Sequence, residues 1–375
     1  MGDAAGGDAA MSLAWRELVR RPGRFAVAGS ALTLLVVLLL LLGGLLDGLY
    51  LGSTGAIRAQ RADVFVYSAT ARDSIVRSRI EPDLRARIEE VDGVASTGGL
   101  GVALLGATVE GDDDVLDVAV TGYELAPEGV PEPPAPGTAY ADDRLRADGV
   151  RAGDVLEVGP ARVPVEVVDF VSDTSYLQQG ALWVEPDTWR AIQSESRPDA
   201  AVADGVFQVV LVVAEDGVEA GELADRIDEA TGGATSSLTR DEAVLSLPGI
   251  RQQNSVFTAL IGVTLFVAGL VAALFFALVT LERTALYATL KALGAPSGRL
   301  ALGVVFQSVV VALGAVVLGG AVTFALEQVI PDAVPVQVEP SRVVTSSVLV
   351  LVTAAVGALV SLRRIVRIDP ATAIS

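Results

Sequence analysis

Leu281–Leu300 (LERTALYATLKALGAPSGRL) gathers Glu282, Arg283, Lys291 and Arg299, and Lys291 is the only lysine in the chain. The stretch separates two apolar runs, Val256–Val279 and Leu302–Leu326. Each is long enough to cross a hydrocarbon core of about 30 Å at about 1.5 Å rise per residue. Short loops rich in Lys and Arg are retained on the cytoplasmic side, which assigns the segment's side. Leu286, Leu290 and Leu293 recur at helical spacing, and Gly294 with Pro296 stops the helix. The expected chemistry is docking: a short amphipathic helix offers an apolar stripe and flanking charges to another protein. A plain solvated connector would need no such stripe.

Other chemistries are closed by composition. The chain has no His and no Cys, which excludes disulfides, thiol catalysis, Ser-His-Asp triads and the usual zinc sites. Lys291 has no phosphate-binding glycine loop before it and no Ser or Thr after it. No catalytic residue, no metal site and no cofactor is expected in this chain. Asp112-Asp113-Asp114 lacks the spaced acidic loop of a calcium site and reads as a solvated hairpin. The net charge of −19 is an average over unlike regions, since Gly52–Gln253 holds 37 acidic and 16 basic residues. Such an acidic block argues against a nucleic-acid partner.

The elements that must position the docking segment are membrane helices. Residues 1–24 read as a cytoplasmic tail followed by an interfacial amphipathic helix, and Met11 offers a second start. In that helix Trp15 sits at headgroup level, and Arg16, Arg20, Arg21 and Arg24 face anionic lipid. A first span is expected over 25–47, a signal anchor because its apolar run exceeds a secretory h-region. Asp47 lies at its end, within reach of water. Further spans follow at 256–280, 301–326 and 343–362, around the loop 281–300 and a short outer loop 327–342. The tail 363–375 carries Arg363, Arg364 and Arg367. All three basic segments fall on one side, so both termini are expected in the cytoplasm of a multi-pass plasma or inner membrane protein.

The block 52–253 is expected outside as an α+β domain inserted between the first and second spans. Its strands are read at Asp63–Ala69, Val115–Tyr123, Asp154–Val158, Val163–Val171 and Ala181–Val184, with Phe207–Val213 central in a sheet. Helices are read at Glu81–Val91, Pro186–Ile192 and Val218–Ala230, with a helical turn at Asp142–Arg146. Pro127–Gly137 reads as a linker or extended loop. Two lobes are expected: one from 58–125 plus 204–250, and an inserted β-rich one over 126–203. The spans carry no ionisable residue away from their ends. Gly262, Gly269, Gly314, Gly319, Gly320 and Gly357 reflect either close helix packing or the general abundance of small residues.

The run E-R-T-x(6)-K-A-L-G-A-P-S-G-R-L resembles the cytoplasmic loop of the FtsX/MacB-like (DevC-like, type VII) ABC transporter permeases. Leu286, Tyr287 and Ala288 depart from that pattern, and Lys291–Ala295 keeps it. A-D-D-R-L-R-A-D-G-V-R-A-G-D-V-L-E-V and the ending I-D-P-A-T-A-I are similar to further stretches of the same family. The resemblance implies that Glu282, Arg283, Leu286, Leu290, Lys291, Leu293, Gly294 and Arg299 couple the chain to a separate ABC-type ATP-binding subunit, where ATP and Mg are bound. It implies pairing as a homodimer or with a homologous permease, and an exterior partner such as an adaptor, membrane-fusion protein or hydrolase. The implied work is export or extraction of a lipid, lipoprotein, peptide or drug. The alternative is an FtsX-like regulator that passes ATPase motion to a cell-wall hydrolase without transport.

Overall fold

The computed structural model describes residues 22–282, 289, 296–331 and 334–366. The first helix, α1, is Pro22–Arg58. It does not stop near residue 47: LYLGSTGAIR contains no proline, and its Ala56 and Ile57 bury against the following domain. Strand β1 (Val64–Ser68) and helix α2 (Pro82–Glu89) come next, α2 opening with proline at its first position, where no N–H is needed. Strand β2 is Val94–Val109 and β3 Val115–Tyr123. The region read as an inserted lobe supplies β4 (Thr138–Asp142), α3 (Asp143–Ala147), β5 (Val155–Val158), β6 (Val163–Val171), β7 (Gly180–Val184) and α4 (Pro186–Ser196). The chain continues through β8 (Val209–Ala214), α5 (Ala220–Ala230), β9 (Thr235–Thr239) and α6 (Arg240–Ser246). Helix α7 is Ile250–Glu282, α8 Ser297–Glu327 and α9 Pro340–Val366.

Two compact units emerge, Leu49–Gln252 and the remainder. In the first, the described strands join one nine-stranded sheet in the order β3-β7-β4-β6-β5-β2-β8-β1-β9. An additional β2–β3 pairing closes six of them, β2-β3-β7-β4-β6-β5, into a ring. The expected division into two lobes therefore gives way to one sheet. The reason is β2: its first half pairs with β8, its last residues pair with β5, and its other edge carries β3. Strands β4 to β7 have no closed sheet without β2 and β3.

The two faces of β2, β3 and β7 bury separate cores. Ala103, Leu105, Val118, Val120, Leu182 and Val184 pack with Trp189 and Ile192 of α4 on one face. On the other, Leu100, Val102, Ala119, Tyr123 and Trp183 pack with Ala56 and Ile57 of α1, with Leu247 just after α6 and with Ile250 at the start of α7. Burial pushes the Tyr67, Tyr123 and Tyr176 phenols up, so they stay neutral. Strands β1 and β8 bury Val64, Val66, Val210 and Val212 against α2 and α5, and β8 lies between two strands, as its doubly apolar pattern predicts. Pro127–Gly137 forms no regular element but is packed: Val130 is buried and the Tyr123 hydroxyl donates to the Pro131 carbonyl at 2.8 Å. A capping box starts α6, with Glu242 accepting from the N–H and hydroxyl of Thr239, bonds that hold its carboxyl below the usual range.

The second unit is helical, and four helices among the described residues are long and apolar enough to cross a membrane: Ala26–Arg58, Ile250–Glu282, Leu302–Glu327 and Pro340–Leu359. Leu32, Val36, Leu39 and Leu40 of α1 meet Ala268 and Phe276 of α7, Val304, Val311 and Ala315 of α8, and Val350 and Ala358 of α9. The glycines divide between the two readings. A Cβ on Gly357 would stand 2.5 Å from the Gly269 carbonyl oxygen, and one on Gly319 would stand 2.7 Å from Val36, so these positions permit backbone approach. Gly262, Gly314 and Gly320 have nothing within 4 Å.

Candidate functional site

The segment 281–300, expected to dock a partner, is bounded by α7 and α8. Glu282 is the exposed last residue of α7. Pro296 caps the start of α8 with extended dihedrals, so Ser297–Leu300, expected in the loop, belongs to that helix and Arg299 lies in its first turn. Arg283, Leu286, Leu290, Lys291, Leu293 and Gly294 lie outside the described residues. Arg24 falls in the first turn of α1, and Arg363 and Arg364 in the last turn of α9. Trp15, Arg16, Arg20, Arg21 and Arg367 are outside the described residues.

A second constellation, unannounced by any motif, is where α1 ends inside the α+β unit. The loop Ser172–Gln179 between β6 and β7 is laced into the helix backbone. Gln178 N–H donates to the Gly52 carbonyl at 2.9 Å, and Leu177 N–H to the Ser53 carbonyl at 3.1 Å. Ala56 N–H donates to the Ser175 carbonyl at 3.1 Å. The Gln178 side-chain amide adds bonds to the Leu49 carbonyl at 2.8 Å and to Ser53 Oγ at 3.1 Å. This close approach requires Gly55, where a Cβ would fall 2.5 Å from the Asp173 carbonyl oxygen; at Gly52 a Cβ would stand 2.8 Å from Gln178 Nε2 and displace that amide.

The loop's conformation is locally disfavoured. Tyr176 and Gln179 exchange both main-chain bonds, at 2.9 Å each, around Leu177 and Gln178, whose φ values are 48° and 66°. A two-residue turn with both φ positive normally takes Asn-Gly, and a side chain there costs about 1–2 kcal/mol per residue. Asp142 over-determines the geometry. Its carboxylate, 3% exposed, accepts from Thr174 N–H (2.8 Å), Thr174 Oγ1 (2.7 Å), Ser175 Oγ (2.8 Å) and Arg144 N–H (3.1 Å). Arg144 Nη1 donates in turn to Gln178 Oε1 at 3.3 Å.

Residues 258–370 match the FtsX-like permease C-terminal family. That C-terminal stretch is similar to the FtsX-like permeases. Over 97% of its length the chain is 19% identical to 99% of the hemin transport system permease HrtB of Staphylococcus epidermidis. Over 96% it is 25% identical to 98% of the uncharacterized ABC transporter permease Rv0072 of Mycobacterium tuberculosis strain H37Rv. Among solved structures it aligns over 50% of its length with 92% of the periplasmic region of MacB from Actinobacillus actinomycetemcomitans, at 12% identity and a TM-score of 0.36.

In this chain Asp47 is not left to water. Arg342, in the first turn of α9, grips it with Nε on Oδ2 at 3.0 Å and Nη2 on Oδ1. Nothing in either local sequence announces the pair, since the two residues are far apart in the chain. Among the described residues no group of three or more carboxylates is gathered as a metal site.

Proposed function

We propose that this FtsX/MacB-type ABC transporter permease passes ATP-driven motion from a separate ATPase subunit to its α+β domain, placed outside the bilayer, for export or extraction of an amphiphilic cargo. The observation that supports this reading is helix continuity: α1 carries an apolar span and ends, unbroken, inside the domain, while α7 begins inside it and becomes the second span. A rigid helix transmits displacement along its axis without a hinge. The segment 281–300 is the point of entry for that motion, with Leu286, Leu290 and Leu293 in the ATPase groove and Glu282, Arg283, Lys291 and Arg299 around it. Two permease subunits, identical or homologous, flank the path. The apolar spans argue against a polar route between helices, because desolvated cargo would find no compensating charge there. The hemin of the staphylococcal relative's name belongs to that protein and, at 19% identity, is not carried over.

Leu290→Asp and Leu293→Asp are expected to abolish copurification of the ATPase while the permease still inserts and folds, because a carboxylate buried in a docking groove costs several kcal/mol. Retained copurification and ATPase stimulation in both variants would refute the docking role. Topology is checked separately in this cysteine-free chain. Asp113→Cys, on the exposed β2–β3 turn, should react with an impermeant maleimide in intact cells, and Ser297→Cys only after permeabilisation. The opposite pattern would reverse the orientation.

A further inference from the structure

We propose that the Tyr176–Gln179 turn is the joint through which displacement of α1 enters the sheet, with Asp142 as its positioning residue; the proposal rests on the coupling reading above. The Gly52 carbonyl and Ala56 N–H stand in the i, i+4 relation of a helical ladder, and each bonds the loop. Sliding or rotating α1 therefore pulls directly on main-chain atoms of residues 175, 177 and 178. Those residues lie between β6, parallel to β4, and β7, parallel to β3, so a pull reaches two ladders of the six-stranded ring.

The choice of side chains points the same way. A turn with two positive φ values is relieved by glycine, yet here Leu177 and Gln178 occupy it. Gln178 has a specific return for that conformation, a side-chain amide spanning from Arg144 to the Leu49 carbonyl and Ser53 Oγ. Persistence of a disfavoured backbone where the surroundings over-determine it is the mark of a functional constraint. Asp142 supplies the over-determination: none of the four donors it accepts is on α1, but three of them belong to Thr174 and Ser175, whose carbonyl holds Ala56. A joint of this kind must be stiff, and a buried carboxylate fully satisfied by hydrogen bonds is stiff.

Gln178→Gly relieves the backbone at φ 66° but gives up the side-chain bonds to the Leu49 carbonyl and Ser53 Oγ, so its two effects on stability offset each other. The joint predicts a split: stability kept, transmission lost. The test is hydrogen exchange on the permease–ATPase complex in nanodiscs, nucleotide-free and trapped with ATP and vanadate. In the wild type, amides of 163–184 should change their exchange rates severalfold on trapping. In Gln178→Gly and Asp142→Asn, α1 should still respond and protection of β1, β8 and α5 should stay intact, while the change at 163–184 collapses. A Ser53→Cys/Leu177→Cys disulfide should restore it in the Gln178→Gly background, and dithiothreitol should remove it again. If Asp142→Asn does not fold, Gln178→Gly carries the test alone. An undiminished change at 163–184 in Gln178→Gly, with α1 responding, overturns the joint and leaves the coupling reading standing. Absence of any response of α1 in the wild type overturns both.

Discussion

Gly101→Val leaves the α+β unit unfolded or melting far below the wild type. Gly101 and Gly122 are register partners on β2 and β3, and the indole of Trp189 lies across both. A Cβ on Gly101 would overlap the Trp189 ring itself, and one on Gly122 would sit 2.5 Å from Trp189 Cβ. Neither side can recede. Strand β2 is held by β3, and the fully buried Trp189 ring is backed by Phe207, stacked nearly parallel with centroids 6.2 Å apart. Overpacking a core costs typically about 1–3 kcal/mol and more where nothing gives, against a total stability of about 5–15 kcal/mol. The measurement is thermal unfolding of the full chain in detergent by tryptophan fluorescence. Gly221→Ala is the control: it lies on helix α5 with nothing within 4 Å of its Cβ and should be neutral or stabilising by up to about 1 kcal/mol. A melting temperature for Gly101→Val within about 2 °C of the wild type would show that the platform is not tight.

The Asp47–Arg342 pair carries the second large effect. The side chains are 13% and 31% exposed, and the bidentate grip spans the end of one apolar run and the start of another. Gly43 leaves room for it, since a Cβ there would stand 3.1 Å from Arg342 Cδ. Asp47→Leu strands a guanidinium and Arg342→Met strands a carboxylate. Each is expected to cost about 2 kcal/mol, below the 3–5 kcal/mol of a fully buried pair because water still reaches the arginine. The double variant Asp47→Leu/Arg342→Met leaves no lone charge and should be more stable than either single variant. Detergent unfolding of all four proteins gives the cycle. Strictly additive losses would mean the two groups do not couple, and the pair would then be a surface contact without consequence.

These two sites divide what each level of description determines. The four spans were legible because a membrane helix is a local property: about twenty consecutive apolar residues suffice, whatever lies elsewhere in the chain. The strands Val64–Ser68, Val115–Tyr123 and Val163–Val171 were legible for a similar reason, apolar alternation within one segment. The segment 281–300 shows in sequence as charge and leucine spacing. What α7 and α8 add is its span, with Glu282 at one end and Ser297 already helical at the other.

Strand β2 escaped altogether, although it is the longest described strand and joins β8, β5 and β3. Its STGGLG run has the composition of a turn, because glycine carries no side chain to alternate and has low strand propensity. Only the tertiary structure shows that Gly99 and Gly101 are bare so that Phe207 and Trp189 can lie on them. The joint at Leu177-Gln178 escaped for the complementary reason: its turn lacks the glycine that announces such turns, since its strain is held by Asp142 and α1 and not by its own residues. Asp47 looked like a solvated charge until Arg342 met it. Local sequence determines which segments are apolar enough to enter a bilayer or a sheet; partners distant in the chain decide which polar and glycine positions hold those segments together, because a hydrogen bond or a close backbone approach exists only once both sides are in place.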